Sequence, residues 1–148
     1  MEHFPEFVAN HLFLFSLFLA ILALLIWNLF GNAVSGILEI APVEATRMMN
    51  HEKAIVLDIR NENEFAEGHI INSINAPADK LSEQTDNLEK YRKRPIILTC
   101  KHGSDSVRAA RILKLKQFEK VYCLKGGLQA WRSANLPLVR NQSNEAKS

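Results

Sequence analysis

The sequence predicts an α/β domain built on a parallel sheet with helices on both faces, preceded by one transmembrane helix. Three observations carry this. Short apolar runs alternate with helical patterns from Ile37 onward, a cysteine ends one of those runs just before a loop and a helix, and the stretch from Leu12 to Phe30 contains no charged residue.

The N-terminal stretch, "LFLFSLFLAILALLIWNLF", is apolar apart from Ser16 and Asn28. At about 1.5 Å per residue a helix of this length approaches the roughly 30 Å hydrocarbon core of a bilayer. A cleaved signal peptide would need a basic segment before it, and "MEHFPEFVANH" has neither Lys nor Arg. All 18 Lys and Arg residues lie at or beyond Arg47, which predicts a translocated tail and a cytoplasmic C-terminal domain. The expected organisation is a tail over 1–11, the span over 12–30, a linker over 31–36, a folded domain over 37–140 and a disordered polar tail over 141–148.

Within the domain, Ala54–Ile59, Ser73–Ala76, Pro95–Cys100 and Lys120–Leu124 read as strands, with a short one at Gly36–Ile40. Helices are expected at Pro42–Asn50, Glu62–Glu67, Lys80–Tyr91, Val107–Lys116 and Leu128–Ser133. Pro42 suits the first turn of a helix, and Glu44 follows in that turn. Strands alternating with helices imply a parallel sheet, and such sheets bind ligands beyond the carboxyl ends of their strands. Cys100 stands at such an end.

The net charge of +2, with acids and bases interspersed, gives no nucleic-acid surface. The histidines show no spacing with acids or cysteines that resembles a metal site, and two cysteines in a reducing compartment read as free thiols. In a strand–loop–helix connection the loop amides and the first-turn N–H groups of the helix favour an anion. An unperturbed thiol, with a pKa near ~8.5, is only a few per cent ionised at neutral pH, so a cysteine nucleophile needs such donors. Gly103 lets the loop fold back toward the sulfur, and Lys101 and His102 add positive charge. The loop by itself leaves open whether Cys100 is a nucleophile or a buried strand-end residue.

Two further segments decide the expectation. "LDIRNENEFAEGHIINSINAP" (Leu57 to Pro77) and "VYCLKGGLQAWRSANLPL" (Val121 to Leu138) resemble the two signature segments of the rhodanese-like sulfurtransferases. The resemblance implies that Cys100 attacks a small sulfur donor, holds sulfur as a persulfide and passes it to a thiophilic acceptor. The family's cradle falls on Cys100, Lys101, His102, Gly103, Ser104 and Asp105, with Ser106 opening the helix. No cofactor is implied, because sulfur is itself the covalent intermediate. One span ahead of a single such domain resembles bacterial inner-membrane members of the family, for which a protein acceptor or a membrane-protein partner is expected as well. Asp58, Arg60, Glu64 and His69 are expected to brace the sheet end, and Trp131 and Cys123 to pack in the core.

The chain departs from the family pattern in two places. Many active members carry Arg at the sixth loop position, where Asp105 stands, and this predicts weak use of the dianion thiosulfate. A Gly that often precedes Phe in the next turn is Gln117 before Phe118. Cysteine phosphatases need Arg six positions after the nucleophile, and Ser106 there argues against that class. The alternative function is a membrane-tethered binding module with little or no catalysis.

Overall fold

The structure, a computed structural model of the chain, describes residues 12–30 and 36–140. The expected tails over 1–11 and 141–148, and the linker up to residue 35, lie outside the described residues. The chain divides into two compact units, Met1–Gly36 and Ile37–Ser148.

The first unit contains α1 (Leu12–Phe30), 19 residues long. The membrane-spanning helix expected from the sequence is not supported: among the described residues, no helix is long and apolar enough to cross a membrane.

The second unit runs β1 (Leu38–Ile40), α2 (Pro42–His51), β2 (Ile55–Asp58), α3 (Glu62–Glu67), β3 (Ile74–Asn75), α4 (Leu81–Gln84), a 3-10 segment (Thr85–Tyr91), β4 (Ile96–Thr99), α5 (Ser104–Leu115), β5 (Val121–Leu124) and α6 (Gly127–Ser133). All five strands are parallel, in the order β1-β5-β4-β2-β3. The inner strands β2, β4 and β5 are buried on both sides, and their alternate residues feed two separate cores. Leu57, Leu98 and Cys123 face one way and pack with Leu81, Leu88, Ala110 and Leu113 from α4, the 3-10 segment and α5. Val56, Ile97 and Leu124 face the other way and pack with Ala45 and Met48 of α2 and Leu128 and Trp131 of α6.

The helix read at Lys80–Tyr91 is instead a single α turn followed by 3-10 winding. Thr85 and Leu88 are buried and Tyr91 packs on the same core, so the inward residues recur every third position, the period of a 3-10 helix. At the carboxyl end of the sheet, Asp58 is fully buried and binds Arg60 through both carboxylate oxygens, with Arg60 Nη2 to Asp58 Oδ2 at 2.6 Å. Arg60 Nη2 also donates to Gly68 O at 2.8 Å, and Asn75 Nδ2 donates to the carbonyls of Asp58 and Arg60. His69 stacks on Phe65 and forms a two-way backbone bridge with Val139, tying the end of the domain to the α3–β3 connection.

Candidate active site

β4 carries the chain through the middle of the sheet and delivers Cys100 at its carboxyl end, where only 3% of the residue is exposed. Its Sγ accepts a hydrogen bond from the Gly103 N–H at 2.9 Å. Gly103 reaches this position with φ +97°, a left-handed conformation that side chains other than glycine rarely adopt. The turn it makes also sets where the next helix begins. The sequence pattern places that start at Val107, with Ser106 as the opening residue, but α5 opens at Ser104. Ser104 and Asp105 therefore belong to the first helical turn rather than to a loop. Polar residues there are unremarkable for a helix start, and an acid is favoured by the dipole.

The remaining cradle positions divide by exposure. Lys101, His102, Ser104 and Asp105 are exposed, whereas Gly103 and Ser106 are buried. Ser106 Oγ has no hydrogen-bond partner among the described residues. Asp105 shares a hollow of about 320 Å³ with Asp79 and Arg108.

The loop is held from behind by the β5–α6 connection. Leu128 N donates to Cys100 O at 2.8 Å and Gln129 N to Lys101 O at 3.2 Å. Gly127, at φ +59°, lies so close to the loop that a Cβ there would sit 2.8 Å from Gly103 N and closer still to Cys100 O. In the sequence, Gly126-Gly127 reads only as a turn, and nothing in it signals contact with a loop some 25 residues earlier.

Cys123 is fully buried on β5. Burial first, then the nearby Glu39 and Cys100, push its thiol up to about 12, which leaves it protonated and a poor resolving partner. Both cysteines are free thiols. Among the described residues no group of three or more His, Cys, Asp or Glu side chains is arranged to hold a metal ion.

On the Lys101 side of the loop, α3 and α6 border a cleft of about 400 Å³ lined by Arg60, Glu64, Glu67, Lys101, Gln129 and Arg132, among others. Glu64 was expected to brace the sheet. It faces this cleft instead, and Arg132, Glu67 and Gln129 carry no sequence signal, being brought together only by the fold.

A buried cysteine at the end of the central strand, its sulfur held by an amide at the head of the following helix, coincides with a sequence match over residues 41–134 to the Rhodanese-like domain family. The chain belongs to the Rhodanese-like domain family. Among its relatives, the uncharacterized protein YibN of Escherichia coli (strain K12) is 34% identical over 143 residues, covering 96% of this chain and 100% of YibN. The thiosulfate sulfurtransferase GlpE of Coxiella burnetii (strain RSA 331 / Henzerling II) is 28% identical over 95 residues, 64% of this chain and 87% of GlpE. Among solved structures, a rhodanese-related protein from Thermoplasma volcanium superposes with a TM-score of 0.64 at 29% identity, over 70% of this chain and 99% of that one. The rhodanese-like core thus accounts for the parallel sheet, the flanking helices and the position of Cys100.

Proposed function

We propose that this protein moves a sulfane sulfur through a persulfide on Cys100. The observation that carries the reading is the 2.9 Å hydrogen bond from Gly103 N–H to Cys100 Sγ at the head of α5, where first-turn N–H groups lack helical partners. Support at the level of family comes from the likeness to GlpE, a thiosulfate sulfurtransferase.

The Cys100 thiolate attacks the outer sulfur of a donor such as thiosulfate. The new S–S bond forms as the donor's own S–S bond breaks, and sulfite leaves with the electron pair. A thiophilic acceptor, cyanide or a thiolate, then attacks the outer sulfur of the persulfide and returns the pair to Cys100. Lys101 and His102 stand beside the incoming donor, while Asp105 opposes a dianion more than a singly charged donor. Slow turnover with thiosulfate is expected. Incubation with a sulfur donor is expected to add one sulfur atom at Cys100, read by intact mass and peptide analysis; labelling that persists in Cys100→Ser sinks the reading.

A second reading, a rhodanese-fold module that docks a protein partner with little turnover, is favoured by the near-complete burial of Cys100. Absence of any persulfide in the parent protein would favour it. Attachment to the bacterial inner membrane through the N-terminal stretch, with the C-terminal domain in the cytoplasm, is part of the proposal. Its support is the uncharged sequence from Leu12 to Phe30, the exposure of the apolar side chains described there and the absence of Lys and Arg before Arg47. A membrane-protein partner or protein acceptor suits that location.

A further inference from the structure

We propose that the amino-end face of the sheet docks on an anionic lipid surface, through a cluster of basic side chains with exposed leucines among them. Because all five strands are parallel, the connections that lead into them gather at this end: α2 to β2, the 3-10 segment to β4 and α5 to β5. Together with the last turn of α5 they carry Lys53, Lys93, Arg94, Lys114, Lys116 and Lys120, and all five lysines are exposed. In the sequence these bases are interspersed with acids, but the fold separates the two. Glu52 turns to Arg47 at 3.4 Å and Glu89 pairs with Arg92, so both carboxylates are already matched. None of the six bases forms an ion pair among the described residues. Arg94 donates to the carbonyl of Lys53 and Lys114 Nζ to Glu119 O at 2.8 Å, bonds that leave their charge uncancelled. Against these six, Glu119 supplies one unpaired carboxylate at this end among the described residues.

Charge alone suits any polyanion, and the apolar residues decide between them. Leu115, 84% exposed, lies between Lys114 and Lys116 at the end of α5, and Leu38, 65% exposed, opens β1 at the same end of the sheet. An apolar side chain flanked by lysines fits the headgroup boundary of a bilayer, where the leucine enters the acyl layer and the ammonium groups meet the phosphates. A nucleic acid gains nothing from these leucines. Tyr91, an aromatic side chain at this end, packs on the core with Lys90 and Arg94 over its ring, so it is engaged rather than presented to a base.

The contact is separate from sulfur transfer, and it adds to the proposed attachment without requiring it. Seven residues separate Phe30 from Leu38 in the sequence, a tether of at most about 30 Å when extended, so attachment through the N-terminal stretch raises the effective concentration of this face at the bilayer. Docking also orients the site. Cys100 follows β4 at the opposite end of the sheet, about 13 Å along the strand from Ile96, so the cysteine loop faces away from the lipid.

Lysine footprinting of the full-length protein tests this. A water-soluble acetylating reagent is applied to the protein with vesicles of phosphatidylcholine alone or of phosphatidylcholine mixed with phosphatidylglycerol, and each lysine is read by peptide mass. Lys53, Lys93, Lys114, Lys116 and Lys120 are expected to lose reactivity about fivefold or more in the anionic vesicles at low salt and to regain it at high salt, while Lys101 and Lys125 at the carboxyl end stay unchanged. Lys116→Gln combined with Lys120→Gln is expected to weaken docking roughly 25-fold, about fivefold for each charge removed, and so to release Lys53 and Lys93. Leu115→Ser is expected to weaken docking on the anionic vesicles about fivefold, a loss that a purely electrostatic contact does not show. Thermal unfolding confirms that each variant is folded. Equal reactivity of the five lysines in the two kinds of vesicle overturns the proposal. Protection by polyuridylic acid without protection by lipid also overturns it and assigns the face to nucleic acid. Protein that stays in neutral vesicles through a salt wash but gains no protection in anionic ones has the attachment alone, and the lipid face is removed. Protein that leaves neutral vesicles yet is protected by anionic ones supports the lipid face while the attachment fails.

Discussion

At Gly127 the backbone has no room for a side chain. A Cβ would meet Gly103 N at 2.8 Å and Lys101 C at 2.9 Å, on a backbone already at φ +59°. Gly127→Ala is therefore expected to cost at least about 2 kcal/mol, from positive-φ strain together with a backbone clash. It should also push the loop off the geometry that gives Cys100 its amide partner. Gly126→Ala is the control, because its Cβ at 2.7 Å strikes the side chain of Ala130 rather than the loop. Thermal unfolding should show both variants weakened, while persulfide loading of the folded fraction should fall sharply in Gly127→Ala alone; equal loading in the two removes Gly127 from the site. The cysteine and its glycine turn were legible in the sequence because local chemistry marks them, an apolar run ending in a thiol and a Gly three residues on. Gly127 was not, since what confines it is an atom of another segment. Arg132 and Glu67 were hidden for the same reason, each looking like an ordinary exposed charge until the fold sets them on opposite sides of one cleft.

Among the elements, α5 shows how far periodicity reaches. Its buried residues, Ser106, Val107, Ala109, Ala110 and Leu113, announce a helix, yet the apolar pattern begins a turn after the helix does because Ser104 and Asp105 are exposed. The alternation of strands and helices was legible for a simpler reason: the three inner strands, β2, β4 and β5, are buried on both sides and so are predominantly apolar. The far end of α5 carries an identifiable strain. Gln117 follows the helix at φ +66°, and its only side-chain hydrogen bond among the described residues is a long one, accepted by its Oε1 from Arg92 Nη1 at 3.4 Å. A left-handed conformation costs a residue with a Cβ roughly 1–2 kcal/mol, and glycine's greater freedom in the unfolded chain takes back about 0.5–1. The balance favours glycine, so Gln117→Gly is expected to stabilise the domain by about 0.5–1 kcal/mol. Chemical denaturation should show a higher midpoint at unchanged slope. A lower midpoint would mean that the Arg92 contact outweighs the backbone strain.

For the whole molecule, the proposed attachment and orientation make a joint expectation. Cell membranes washed with alkaline carbonate should retain the protein, and protease added to intact cells should spare the C-terminal domain while digesting it in inverted vesicles. Release by carbonate removes the attachment, and the reverse digestion pattern removes the orientation drawn from Arg47 and the basic residues after it. A different consequence follows from the strand order. Among the described residues β1 pairs only with β5, so the first strand of the sheet finds its partner when the last one has been made, some eighty residues later. At roughly 5–20 residues per second of synthesis, β1 waits about 4–16 s for its partner. It does so as a three-residue strand with a charge at its centre, Glu39, too short and too polar to recruit a stray edge. The brevity of β1 is thus matched to its long wait: the nascent chain carries an open sheet edge through most of translation in a form that resists mispairing.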